Sequence, residues 1–334
     1  MAKEIDVRLV YKLISQVTSL SVVSDFLRAR DLPHSGGSWE SLFEKRIEPA
    51  LQEGRLTAAE LIELLRSVEE YGKQHVFFYL LERDAAAELI APKRVGHVLT
   101  QLEVSDLLDQ PRVFDMPKAP TFVDVRWQNN DSELVIKEVL TKESFEFAGE
   151  TEHGDTIQRT FKRVRERVVN IGVLRKNGTF ELRLFSRRGS SKYDDDVKQI
   201  THRWKPFLDI ATFAPISFSK AKAKLWTDRK LLAKQIRYSD VVVSNDDNIS
   251  LRAFGKVFDA DLAGNEPAQN SLDSFLGKDG YFDSSNIWFI QGKVVPARDI
   301  HVLLQGASNE VVIPTNCSQV DYDYVLSQLL ALNT

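Results

Sequence analysis

The chain has 334 residues, of which 43% are hydrophobic and 28% charged, with a net charge of −4. That is ordinary globular composition, long enough for two or three domains, and it excludes wholesale disorder. The single cysteine, Cys317, excludes an intrachain disulfide and fits a reducing compartment.

Helical spacing dominates the first hundred residues. Val7, Val10, Leu13 and Ile14 share one face, as do Leu20, Val23, Phe26 and Leu27,. Pro33 and Gly36-Gly37 interrupt before Ser38 opens a third helix through Leu42, Phe43, Ile47 and Leu51. Thr57-Ala-Ala-Glu60 has capping-box form ahead of Leu61, Leu64, Leu65 and Val68,. Tyr71 to Leu81 reads as a further apolar helical turn or two, and shorter helices follow near Ala85–Ile90 and Val95–Leu102. Pro111, Pro117 and Pro120 then mark a boundary, since the residue before proline is driven out of the helical region,.

Beyond it the period falls to two. Phe122–Trp127 and Leu134–Leu140 read as strands, and Val168–Leu174 and Thr179–Phe185 flank Lys176-Asn-Gly178, a tight-hairpin signal,. A helix is expected from Tyr193 to Leu208, entered through Asp194-Asp-Asp196, and a long one over 219–237,. Residues 240–256 hold two short strands around Asn245–Asn248, and Asp259 to Gly280 a loop with a short helix. Ile287–Ile290, His301–Leu304 and Glu310–Ile313 are strand candidates, and Val320–Leu332 closes as a helix. The fold class expected is α+β: an N-terminal all-helical bundle over residues 1–110, then a mixed domain over 120–334 with a largely antiparallel sheet and flanking helices. A division of that second domain near residue 240 is an option.

Charge is unevenly distributed. Residues 1–119 carry 15 basic against 19 acidic residues, 120–239 carry 24 against 16, and 240–334 carry 5 against 13,. Between Gln158 and Lys192 eleven cations face only Glu166 and Glu181. Arg163, Arg165 and Arg167 are spaced by two, which in a strand sets three guanidiniums on one face,. A helix over 219–237 would place Lys220, Lys224, Lys230, Lys234 and Arg237 opposite its apolar face,. With Arg159, Lys162, Arg187, Arg188 and Lys192, these residues make a candidate positive groove for a phosphate backbone, DNA ahead of RNA. The competing reading is a protein–protein adaptor whose basic surface meets an acidic partner. The aromatic residues among the charges, Phe161, Phe180, Phe185, Tyr193, Trp204 and Trp226, are read mostly as core.

Enzymatic motifs are absent. The chain has no phosphate loop, dinucleotide turn, nucleophile elbow or zinc-ligand spacing,. The best catalytic alternative is a metal-dependent nuclease using Asp194–Asp196, with Lys198 and His202 near them; a helix cap explains the same aspartates,. Asp246-Asp247 reads as turn chemistry, and Cys317 as a buried thiol rather than the partner of His301,. No cofactor, metal or catalytic residue is expected. The charged N-terminus, Met-Ala-Lys-Glu-Ile-Asp, and the shortness of the apolar run Val76–Leu81 give no signal peptide and no membrane span,. The location expected is therefore intracellular, cytoplasmic or nuclear, without a membrane partner.

Several local patterns resemble the inner-kinetochore CENP-N family: Phe26-Leu-Arg-Ala-Arg-Asp-Leu32, Trp39-Glu-Ser-Leu-Phe-Glu-Lys-Arg46, Leu61-Ile-Glu-Leu-Leu65, His75-Val-Phe-Phe78 and Phe122-Val-Asp-Val-Arg-Trp127. The resemblance implies a pyrin-like helical domain, a sheet domain that binds partners, and a non-enzymatic role in a nucleic-acid-associated assembly. Residues 1–119 are acidic, unlike a DNA-facing domain, so no DNA contact is carried over to them. A protein partner is expected there instead.

Overall fold

The Thr57 hydroxyl accepts from the Glu60 N–H and the Glu60 carboxylate accepts from the Thr57 N–H, completing the capping box that opens helix α5, Ala58–Glu69. The computed structural model describes residues 5–108, 110–187, 193–257 and 259–334. Ahead of α5 lie α1 (Val7–Val17), α2 (Leu20–Arg28), α3 (Trp39–Leu42) and α4 (Glu48–Gln52), with a π turn at Phe43–Ile47 joining the last two. Their apolar faces enclose one cluster that includes Val10, Leu13, Ile14, Leu27, Leu42, Ile47, Leu61 and Leu65.

An antiparallel sheet makes up the rest of the framework. Its strands are β1 (Gly72–Leu80), β2 (Thr121–Gln128), β3 (Glu133–His153), β4 (Thr156–Arg175), β5 (Thr179–Phe185), β6 (Ala214–Pro215), β7 (Ile236–Ser244), β8 (Ser250–Phe254), β9 (Tyr281–Phe289), β10 (Ile300–Leu304) and β11 (Glu310–Asn316). They are ordered β2-β3-β4-β5-β1-β11-β10-β9-β7-β8, with β6 paired to β1. The coarse expectation of a mixed fold with a large antiparallel sheet is what the structure has. The Asn177-Gly178 turn forms where its sequence places it, with Gly178 at φ 93°.

Two elements differ from the sequence reading. Gly72–Leu80 is not a helical turn but the strand at the middle of the sheet, hydrogen-bonded to β5 on one side and β11 on the other. Val76, Phe77 and Phe78 are buried on both faces, so the run is continuously apolar and carries no period to distinguish strand from helix. The stretch read as a helical domain thus supplies a central strand. The long helix expected over 219–237 is instead α9 (Ser219–Thr227), a break at Asp228, the single turn α10 (Arg229–Leu232) and then β7. Ile236 and Tyr238 enter the core two residues apart, a strand period that overrides helical continuation.

Helices cover the sheet unevenly. Over one face of the β1–β5 half lie α6 (Arg83–Leu89), α7 (Pro92–Gln101) and α8 (Asp194–Trp204), whose Trp204 is fully buried with Phe180 and Phe207. Over the opposite face, toward β11 and β7, lie α9, α11 (Glu266–Leu276) and α12 (Gln319–Leu332), around Phe78, Tyr238, Phe289 and Tyr322. On that same side of β2–β4 a strip of Val135, Val139, Val169, Ile171 and Val173 meets the C-terminal end of α5 through charged side chains. No helix among the described residues is long and apolar enough to cross a membrane.

Candidate interaction surface on the β3–β4 arm

Pairing between β2 and β3 ends at Thr121 with Val139, and pairing between β5 and β4 ends at Asn170 with Leu184. The ladder between β3 and β4 continues out to His153 and Thr156. Residues 141–167 therefore project from the sheet as a two-stranded arm, about 40 Å long at ~3.4 Å per residue. Alternation along each strand, together with the register, places Glu143, Phe145 and Phe147 on one face with Phe161, Arg163 and Arg165,. Arg159 and Ile157 continue that face toward the tip.

This register answers where the basic row points. Arg163, Arg165 and Arg167 do share a face, but none meets solvent as a bare cation. Arg165 Nε donates to Glu143 Oε1 at 2.7 Å, and Arg163 lies 3.8 Å from the other oxygen of the same carboxylate. Arg163 also sits over the Phe145 ring at 5.9 Å, and Arg159 Nε donates to Glu150 at 2.7 Å. Arg167 turns inward: its side chain is 8% exposed, bound to Glu69 and donating to the Phe114 carbonyl. Lys162 is exposed and stands opposite Glu146. Between 141 and 167 six basic residues meet six acidic ones, so the strand that looks cationic in sequence lies in a hairpin with no net charge.

The other predicted cations are elsewhere. Arg187 shares Asp196 with Lys142 at the start of α8, whereas Arg188 and Lys192 lie outside the described residues. Lys220, Lys224, Lys230 and Lys234 are exposed on α9, α10 and the segment that follows. They make no ion pair with any described residue. Arg237 lies on β7, 3.5 Å from Asp299 and 5.4 Å from the Trp288 ring centroid. Because α9 packs on β9 and α12, it is five strand positions from β4, about 24 Å at ~4.8 Å per strand. The two basic segments do not line a common groove.

The aromatic residues divide sharply. Phe180, Tyr193, Trp204 and Trp226 are core. Phe145, Phe147, Phe161 and Ile157 are 64%, 59%, 53% and 52% exposed, all on the same arm face, with the Phe147 and Phe161 rings edge-to-face at 6.0 Å. Sequence reasoning missed Phe145, Phe147 and Ile157. Phe145 and Phe147, alternating with Ser144 and Glu146, were the available signal, but Glu143, Glu150 and Glu152 fall on the same face and leave the apolar pattern only two residues long.

Where the arm leaves the sheet, α5 docks through buried charge. Glu69 and Glu70 are almost fully buried and share Lys137, at 2.6 and 3.3 Å. Glu69 also binds Arg167, and Glu70 binds Arg126 at 2.5 Å. Arg66 reaches Asp124 at 2.8 Å, and Arg126 reaches it at 2.7 Å. Burial by itself would raise the Glu70 carboxyl, but Arg126 and Lys137 outweigh it and hold it at about 2,. Glu69 is likewise lowered: Lys137 and Arg167 win against desolvation. Beside this cluster a cleft of about 250 Å³ opens between the α1 end, the 113–117 segment and the arm base, lined by Gln16, Val17, Met116, Arg165, Val169 and Phe185.

Asp194 to Asp196 form the first turn of α8, with Asp196 engaged by two cations, and no group of three metal-ligating side chains exists among the described residues. Burial pushes the Cys317 thiol up to about 12, and His301 meets Asn286 and stacks on Trp288 rather than approaching a thiol. Asn245 accepts from the Ile249 N–H, making 245–249 a closed turn. No known protein family matches the chain, and no curated protein matches it either.

Proposed function

We propose that the protein is a non-catalytic component of a larger assembly and that the β3–β4 arm is the surface it offers to a protein partner. One observation carries the reading: four large apolar side chains stand more than half exposed on one face of a projecting ribbon whose charges are internally balanced. A two-stranded ribbon is marginal in water by itself, and clustered exposed aromatics mark protein contacts. A phosphate backbone would demand surplus positive charge along its length, and residues 141–167 taken together carry none,. Read this way, α1–α5 form an all-helical N-terminal unit with its own apolar cluster, docked on the sheet through charges and offering a second, acidic surface to a partner. An intracellular setting accords with the single thiol.

The test is a photo-crosslinking residue at Phe147, with a control at Leu231, which is 82% exposed on α10. Crosslinks from position 147 to a stoichiometric protein, insensitive to nuclease, are expected. Crosslinks only to nucleic acid, or none above the control, refute the reading.

The four unpaired lysines favour a second reading, nucleic-acid binding at α9–α10, duplex DNA first. It predicts affinity for arbitrary duplex that falls with salt at a log–log slope of about −3 to −4. Changing Lys220, Lys224, Lys230 and Lys234 together to glutamate should abolish it; unchanged anisotropy titrations dispose of it.

A further inference from the structure

The exposed arm face does not end at the arm. Arg165, on that face, also lines the cleft at its base, with Met116, Val17 and Val169. Arg163 and Phe161 follow Arg165 outward at two-residue spacing, Phe145 and Phe147 stand across the ladder, and Ile157 lies further toward the tip. The result is a corner: the end of α1 and the 113–117 segment form one wall, and the ribbon forms the other. From Val169 to Phe161 it is about 27 Å at ~3.4 Å per residue, and the two-stranded floor is about 10 Å wide, the diameter of one helix. A helix of about 18 residues would span that length at ~1.5 Å per residue.

Charge selects the face that such a helix must bring. Glu143 is the one carboxylate within salt-bridge distance of Arg163 and Arg165 among the described residues, and it serves both. Arg167 is fully engaged by Glu69 below. The mid-arm floor therefore has one guanidinium in excess, flanked by phenylalanines. We propose that the corner receives an acidic amphipathic helix of the partner, its apolar stripe on Phe145, Phe147 and Phe161 and a carboxylate on the Arg163–Arg165 pair, by the helix-in-groove mode. This rests on the reading of the arm as a protein interface and names the chemistry of what binds there. Arginine suits this role because it serves two carboxylates in fixed geometry and stacks on an aromatic face.

The test uses the full chain and two labelled eighteen-residue peptides with leucine at helical spacing: one carries glutamate at the remaining positions, the other lysine. Fluorescence polarisation should show the glutamate peptide binding at least tenfold more tightly than the lysine peptide. Arg163→Glu with Arg165→Glu should reverse that order, and Phe145→Ser with Phe161→Ser should weaken both peptides at least tenfold. These side chains are exposed, and an unchanged melting temperature verifies that each variant is folded. Failure of the glutamate peptide to bind, equal binding, a preference that survives charge reversal, or tighter capture of a twelve-nucleotide thymidine strand on the same face overturns the proposal. So does self-association lost with Phe145→Ser, which would make a second copy the occupant. If crosslinking at Phe147 still captures a protein while the glutamate peptide fails, the arm remains a protein interface and only the acidic-helix assignment falls.

Discussion

Lys137→Met removes the one cation that Glu69 and Glu70 share, leaving two almost fully buried carboxylates with one guanidinium each. Breaking a buried ion pair by deleting one partner costs about 3–5 kcal/mol, because the remaining charge is desolvated without full compensation. Arg167 and Arg126 stay in place, so the low end, about 3 kcal/mol, is expected. Linkage gives a similar scale for the cluster as a whole. The Glu70 carboxyl is held at about 2 in the fold against 4.5 ordinarily, and at ~1.36 kcal/mol per pKa unit that is about 3 kcal/mol. The sign follows from the direction of the shift. A carboxyl lowered on folding contributes stability above its ordinary value and loses it as the pH falls from about 4.5 to about 2,. The assay is thermal melting of wild type and Lys137→Met from pH 7 down to pH 3. At ~2.1 cal/mol/K per residue, a chain of 334 residues shifts by roughly 1.4 °C per kcal/mol, so the variant should melt about 4 °C lower at pH 7. Its acid limb should also be shallower and end at higher pH, since Glu70 has lost one of the charges that depress it and has less stability to lose below about 4.5,. A loss below about 1 kcal/mol at pH 7 with an unchanged acid limb would refute the claim that this cluster holds α5 to the sheet.

Other outcomes follow from single features. Replacing residues 143–165 with Asn-Gly joins Lys142 directly to Glu166, a register pair, through a two-residue turn; the melting temperature should stay within about 2 °C, and a large drop would show the arm to be part of the folded core. Gly178→Ala places a Cβ 2.1 Å from the Leu81 carbonyl oxygen at φ 93°, so urea denaturation should show a loss of more than about 1 kcal/mol, and a neutral result would discount the turn strain. The buried Cys317 thiol, raised to about 12, should resist alkylation by iodoacetamide at pH 8 in the native protein and react once urea unfolds it; rapid native labelling would contradict its burial.

Local chemistry settled much of this molecule before any contact was known. The Thr57–Glu60 capping box, the Asn177-Gly178 turn, the amphipathic spacing of α1, α2 and α5 and the closing helix α12 each depend on neighbours within a few residues, which is why a linear reading finds them. Pattern failed where the contrast between the two sides of the chain was absent or too short. Val76–Phe78 is buried on both faces, and the Phe145–Phe147 alternation is interrupted on its own face by Glu143 and Glu150, so neither gives a sustained period that separates strand from helix or loop. The candidate site was legible only as a row of arginines at alternate positions. That row shares a face, as spacing dictates, but its electrostatic meaning lay in residues on another strand and on α5: Glu143 and Glu150 stand beside Arg165 and Arg159, and Glu69 takes Arg167 into the interior. A window from Gln158 to Lys192 leaves out Glu143 and Glu150, which the β3–β4 register brings alongside, and Glu69, which lies on α5. Spacing alone decided which side chains share a face; tertiary pairing decided that Arg159 and Arg167 each find a carboxylate, that Arg163 and Arg165 share one, and that the phenylalanines are left exposed, because charge compensation and burial depend on distance in space.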